Sequence, residues 1–372
     1  MDLQSTSTRP SPDGRLEAMR AKVVLGRRGR MMKRTLAGTA GCAGWPSLGR
    51  ASRPRLTFCR ADSLGVALGL SLIVFAATHV SAQTTWQPGG GRSQIVLWPD
   101  GPPDPRPGVG VEALHYARDP ETNRKKLVGG KPYMYIENVT RPTITIYPPP
   151  DKTAATPAVI VYPGGGFNVL AIDIEGTEIC DWLLANGIAC ALLKYRVPCD
   201  HQGSFRECPS AHVDAQRAMS IVRSRAAEWR IDPNRIGVIG FSAGAHMAIV
   251  ASTRFDRLYP AVDEADKTSS RPDFALVLYP GRVAPKGTPN PAIQVTDRTS
   301  PTFLVHSYDD PMNPVENSLV YAAALRKAGV PSEIHIFANG GHAFGLRRTA
   351  STATAWASLA EAWLKAIGVA GD

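Results

Sequence analysis

The sequence predicts an α/β fold with a mainly parallel sheet and helices on both faces, and three observations carry that expectation. From residue 158 onward, short apolar runs alternate with stretches of helical period. The runs at 158–162 and 188–193 are apolar on both faces, as strands buried within a parallel sheet must be. The run at 236–239 leads into Gly240-Phe-Ser242-Ala-Gly244 and then at once into an alanine-rich helical pattern, which reads as strand, sharp turn, helix.

The first quarter of the chain is different in kind. Residues 1–60 are rich in Arg, Gly, Ser and Pro and lack the apolar periodicity that a packed core requires. An uninterrupted weakly polar stretch comes next at 64–80, preceded by Arg53, Arg55 and Arg60 and closed by Val80-Ser81-Ala82. A basic flank, an apolar core and a small-residue exit are the parts of a secretory signal peptide, so cleavage is expected after Ala82, with an uncleaved membrane anchor as the alternative. Translation starting at Met31 or Met32 would shorten the unusually long upstream extension. On this reading residues 1–82 are a leader, residues 83–372 form a single catalytic domain, and the protein is periplasmic or extracellular.

Charge divides at the same place. The leader holds 13 Lys and Arg against four Asp and Glu, whereas the remainder holds 29 against 28. Nine of the ten formal net positive charges therefore belong to the leader, and the basic balance gives no argument for a nucleic-acid partner. Of the six cysteines, four lie in the body. Cys199 and Cys208 flank a polar loop that a disulfide would close, while Cys180 and Cys190 fit either a second bridge or two buried thiols. Neither pair has metal-ligand spacing.

Along the body, residues 95–98 read as a short strand, and the proline- and charge-rich segment 101–132 as surface loop. Residues 143–147 alternate polar and apolar, which predicts a half-buried edge strand. The buried strand at 158–162 runs into Pro163-Gly164-Gly165-Gly166-Phe167, where consecutive glycines let backbone N–H groups approach a ligand. A helix with Ile179, Trp182 and Leu183 inward ends at Asn186-Gly187, and a long helix from Asp214 to Trp229 comes after the strand at 188–193. Strands are expected at 274–279, 302–306 and 333–337, and helices at 315–328 and from Trp356 to Ile367. Residues 280–300 carry several prolines, and an insertion there would lie over the carboxyl ends of the strands as a lid or substrate wall.

Ser242 alone is ambiguous, because a serine before a helix is also a good cap. Its partners later in the chain decide its role. A serine hydroxyl is a poor nucleophile until a base takes its proton, and the base needs an acceptor to hold its tautomer. Asp309 and Asp310 come after one strand, and His342 comes after the next in a glycine-flanked loop, the order nucleophile, acid, base. Each residue would arrive at the same rim of the sheet. Negative charge developing on an attacked carbonyl needs fixed donors, assigned to the backbone N–H groups of Gly165, Gly166 and Ala243. His306, within its strand, and His212 and His246, on expected helices, fit core or surface roles better than the role of base.

The linked segments Tyr162-Pro-Gly-Gly-Gly-Phe, Leu193-Lys-Tyr-Arg-Val-Pro, Asp214-Ala-Gln-Arg-Ala, Gly240-Phe-Ser-Ala-Gly, Asp309-Asp-Pro and Gly340-Gly-His-Ala-Phe-Gly resemble bacterial secreted esterases of the α/β-hydrolase fold. The chain is most similar to the acetyl xylan esterase-like group, close to feruloyl esterase-like and hormone-sensitive-lipase-like proteins. The resemblance spans roughly residues 95–364. It implies a cofactor-free serine esterase, with Asp310 rather than Asp309 as the acid because of its spacing from His306 and Pro314. It also implies a small-molecule or polysaccharide ester as substrate, acetylated xylan first and feruloyl or other small acyl esters next, with no nucleic acid and no stable membrane insertion after cleavage. A serine exopeptidase and a non-catalytic carbohydrate-binding protein are the readings from other classes. Two departures stand out: Pro163 occupies the place where many relatives have histidine, and Ala245 the place of a second glycine after the elbow.

Overall fold

The computed structural model describes residues 85–105, 110–149 and 154–371. The apolar stretch at 64–80 and the cleavage point after Ala82 lie outside them. The described residues fall within one compact unit, Ala77–Asp372. Among them, no helix is long and apolar enough to cross a membrane.

The strands in chain order are β1 (Ile95–Val96), β2 (Ala113–Tyr116), β3 (Leu127–Val128), β4 (Lys131–Pro132), β5 (Met134–Glu137), β6 (Thr143–Tyr147), β7 (Thr156–Tyr162), β8 (Val169–Leu170), β9 (Ala189–Lys194), β10 (Ile231–Phe241), β11 (Ala275–Leu278), β12 (Thr302–Ser307) and β13 (Ser332–Phe337). The α-helices are α1 (Glu178–Ala185), α2 (Pro209–Ser224), α3 (Ala243–Thr253), α4 (Glu316–Lys327) and α5 (Trp356–Ala366). Eight strands form the central sheet in the order β1-β6-β9-β7-β10-β11-β12-β13. From β9 to β13 all neighbours are parallel, and β6 runs antiparallel to both β1 and β9. Helices cover both faces, and the fold is that of the α/β-hydrolases.

The chain leaves β7 for β9 on one side and returns to β10 on the other. A ligand crevice is expected at such a reversal, outside the carboxyl ends of the strands, because the two connections diverge there. The glycine loop comes after β7 and Ser242 after β10, so both border this crevice. The helices are tied to one another and to the neighbouring loops by side-chain pairs. Trp182 of α1 meets Trp356 of α5 with ring centroids 5.4 Å apart, and its indole N–H donates to Glu361. Asp214 at the heart of α2 accepts from the backbone and guanidinium of Arg196 and from the Trp98 indole, which ties the Tyr-Arg-Val segment to the helix.

Several sequence expectations are corrected. Residues 101–132 are not simply surface loop, since β2 pairs antiparallel with β5 and β5 with β8 in a small sheet beside the crevice. Strand β6 is neither half-buried nor at the edge, for all five residues are buried and β1 pairs outside it. Its threonines tolerate burial because they find partners, as Thr143 Oγ1 does at 2.8 Å from Gln94 Oε1. Helix α2 begins at Pro209 rather than Asp214, and its expected last turn is a 3-10 turn, Ala226–Trp229. Both cysteine pairs are disulfides, Cys180–Cys190 and Cys199–Cys208, so the first pair is a bridge and not two thiols.

Candidate active site

Ser242 stands between the last residue of β10 and the first of α3 with φ 53° and ψ −112°, a conformation that costs a non-glycine residue free energy. The neighbouring glycines make it possible. A Cβ on Gly240 would run into the Gly244 carbonyl, and one on Gly244 into the Tyr162 carbonyl, so neither position has room for a side chain. Ser242 makes no side-chain cap to α3, which removes the capping reading. Its Oγ instead lies 2.9 Å from His342 Nε2.

His342 sits in the loop after β13, and its Nδ1 is 2.7 Å from Asp310 Oδ2 in the loop after β12. With Asp310 ionised, Nδ1 carries the proton and Nε2 is free to accept from the serine. Asp309, the other candidate, accepts the Gly341 N–H at 2.8 Å and so braces the histidine loop. Asp310 is further held by the N–H groups of Met312 and Asn313 on its Oδ1. Burial works to raise its pKa, yet hydrogen bonds from His306 and His342 outweigh burial and hold it well below the usual carboxylate range.

His306, expected in a core or surface role rather than as the base, lies in the core and contributes to the site from there. It is fully buried, and its Nε2 donates to the Asn313 carbonyl at 2.9 Å and approaches Asp310 Oδ2 to 3.3 Å. Since a carbonyl can only accept, the proton is on Nε2, and Nδ1 accepts from the Ser318 hydroxyl at 2.8 Å. The only hint in the sequence is its place four residues before Asp310.

The glycine loop is braced from below by a residue not singled out, Glu175. It is buried, accepts the Gly164 N–H at 2.8 Å on Oε2, and accepts the Tyr279 hydroxyl at 2.9 Å on Oε1. Burial pushes its carboxyl above the ordinary range, and burial with the Glu175 charge pushes the Tyr279 phenol far up. Gly165 and Gly166 have φ of 131° and 67°, and a Cβ on Gly165 would overlap the Val169 carbonyl. Thus Gly164 is committed to Glu175, while the N–H groups of Gly165, Gly166 and Ala243 donate to no protein acceptor among the described residues. Ala245 is fully buried and its methyl is accommodated in the first turn of α3.

These groups open into a cavity of about 1060 Å³. Ser242, His342 and the glycine loop border it, with Tyr133, Tyr135 and Met312 among its other walls. The expected wall from residues 280–300 is reduced to Gly281 and Arg282, and the β2 to β5 region supplies the larger share. A separate group, Glu207, His212 and His246, has donor atoms within 4.8 Å of one another and is the set among the described residues that could approach a metal. Glu207 Oε2 and His246 Nε2 already meet at 3.0 Å, and the Arg254 and Arg282 guanidiniums add positive charge that works against a cation there.

A strained serine at a strand-to-helix elbow, in contact with a histidine that is in turn held by an acid from a separate strand end, defines a hydrolase of the α/β-hydrolase class. Comparison with known proteins narrows the class. The BD-FAE family model matches residues 144–278, and the prolyl oligopeptidase family model matches residues 286–368. A solved acetyl ester-xyloside bifunctional hydrolase from Caldicellulosiruptor lactoaceticus is 33% identical with a TM-score of 0.59, over 75% of this chain and 97% of that one. The acetylxylan esterase of Xylanibacter ruminicola is 32% identical over 204 residues, 50% of this chain and 41% of that protein. The chain thus spans less than half the length of that relative. Esterase 2 of Thermogutta terrifontis, solved phosphorylated by paraoxon, is 25% identical with a TM-score of 0.55, over 66% of this chain and 95% of that one. The chain belongs to the esterases of the α/β-hydrolase fold.

Proposed function

We propose that the protein is an exported serine hydrolase that removes acetyl groups from a polysaccharide such as acetylated xylan, through an acyl-enzyme on Ser242. The observation that carries the chemistry is the continuous contact from Ser242 Oγ to His342 Nε2 and from His342 Nδ1 to Asp310 Oδ2. His342 takes the serine proton as Oγ attacks the ester carbonyl, and Asp310 stabilises the imidazolium that forms. The oxyanion is received by the N–H groups of Gly165, Gly166 and Ala243, each donor being worth about 3–4 kcal/mol. His342 then delivers its proton to the departing sugar oxygen, and water repeats the sequence in reverse to release acetate.

The acetyl preference rests on the similarity to an acetylxylan esterase and to an acetyl ester-xyloside hydrolase. Export rests on the leader composition. Acetate release from acetylated xylan, set beside 4-nitrophenyl esters of increasing chain length, tests the reading. Release of acetate with a preference for short chains supports it. Preference for long chains with no acetate released overturns the polysaccharide part, and turnover of feruloyl esters in its place would select the feruloyl alternative.

A further inference from the structure

Among the described residues, four cationic side chains line the cavity that contains Ser242: Arg118, Lys126, Arg206 and Arg282. Among the described residues, Glu175 is the one acidic residue that lines it, and its oxygens are taken by Gly164 N–H and the Tyr279 hydroxyl. Among the described residues, none of the four cations forms an ion pair with a carboxylate. This sets them apart from Arg196, Arg217, Arg223 and Arg347, which are each paired elsewhere in the fold.

The acids whose charge reaches this group are engaged already. Glu207, whose field reaches Arg282, is held by His246 and Asn290. Asp119, whose field reaches Lys126, accepts from the N–H groups of Glu121 and Thr122 and from the Thr122 hydroxyl. Arg282 is fixed rather than free. Its guanidinium donates to the Arg206 carbonyl at 2.8 Å and the Gly166 carbonyl at 3.0 Å, and it lies 4.6 Å over the Phe167 ring. Arg206 belongs to the loop closed by Cys199–Cys208, and Arg118 and Lys126 come from the β2 to β3 segment. Three separate stretches of chain therefore bring unpaired positive charge to one concave surface, where a low-dielectric wall strengthens its field.

Building on the esterase reading above, we propose that this cavity selects esters that carry a carboxylate, with Arg206, Arg282, Arg118 and Lys126 as the specificity-determining cations. The carboxylate can belong to the acyl part, as in a succinyl half-ester, or to the alcohol part, as in a polysaccharide bearing uronic-acid side groups. The chemistry at the cations is the same in both.

The test measures kcat/KM with the whole protein on two matched pairs. The first is 4-nitrophenyl hemisuccinate against 4-nitrophenyl butyrate, and the second is an acetylated xylo-oligosaccharide with and without a uronic-acid branch. At low salt the carboxylate member of at least one pair is expected to lead by about tenfold, and screening at roughly 0.3 M NaCl should shrink that lead to a few-fold. Which pair shows the lead assigns the acyl or the alcohol side. In Arg206→Gln and in Arg118→Gln/Lys126→Gln the ratio within that pair should fall toward one, whereas a loss of folding would lower both members together. Equal kcat/KM within both pairs, or a lead that survives these substitutions and high salt, overturns the proposal. Turnover of the neutral esters without any carboxylate preference overturns only this proposal, while failure to turn over any of the four esters overturns the esterase reading itself.

Discussion

Asp310 Oδ2 lies 2.7 Å from His342 Nδ1 and, on its other flank, 3.3 Å from His306 Nε2. The acid is thus held between His342 and a buried histidine that does not line the cavity. Asp310→Asn removes the acceptor and favours the wrong imidazole tautomer, and kcat should fall by about 10⁴-fold with little change in KM. Steady-state kinetics on a soluble acetyl ester checks this.

His306 acts through Asp310 and is a positioning residue. His306→Asn should lower kcat by about 10–100-fold through misplacement of the acid. The Asp310 carboxyl should also take its proton at a higher pH, since one of the hydrogen bonds that lower its pKa is lost. A variant that loses stability but keeps the wild-type kcat would limit His306 to a packing role.

The elbow glycines are required by backbone approach and not by flexibility. Gly244→Ala places a methyl against the Tyr162 carbonyl, and Gly240→Ala places one against the Gly244 carbonyl. Each should cost about 1–3 kcal/mol of unfolding free energy, since a buried backbone must shift to make room. Each should also lower kcat, because Ser242 is carried by the same turn. Urea denaturation together with turnover of an acetyl ester separates the two effects.

Most of the central sheet, and the meeting of Ser242, His342 and Asp310, is legible in the amino-acid order. The parallel strands that deliver Ser242 and Asp310 have apolar cores, the one before His342 alternates polar and apolar residues, and all three alternate with helical stretches, so their carboxyl ends, and the residues there, could be placed. The cavity wall could not be placed this way. Strands β2 and β5 have four residues each, too short to show a period among the prolines and charges of their segment. The Glu175 to Tyr279 hydrogen bond joins residues 104 apart, and nothing local to either marks the pair. The sequence leaves the Cys180–Cys190 bridge open beside two thiols for a related reason, because its cysteines sit on a helix and a strand whose patterns are complete without it.

Acid should weaken the fold through His212. Burial holds its pKa down to about 3, with the neighbouring His246 adding to the effect. In the unfolded chain the ring takes a proton near its ordinary pKa of about 6.5, while in the folded chain it does so only near the depressed value. Between these two values the unfolded state binds more protons, so stability is complete above about pH 6.5 and is lost as pH falls, by up to about 1.4 kcal/mol per pH unit. His212→Leu should flatten that slope in urea midpoints measured from pH 7 to 4. At pH 7 it should cost little, because among the described residues the buried Nε2 has no hydrogen-bond partner to lose.

Ser242 as the nucleophile is the claim on which the proposed chemistry depends. Treating the whole protein with a fluorophosphonate and mapping the adduct by peptide mass spectrometry tests it directly, with Ser242→Ala run in parallel. One adduct is expected, on Ser242, with neither labelling nor acetyl-ester turnover in the folded alanine variant. An adduct on another residue, or full turnover by Ser242→Ala, would contradict the assignment.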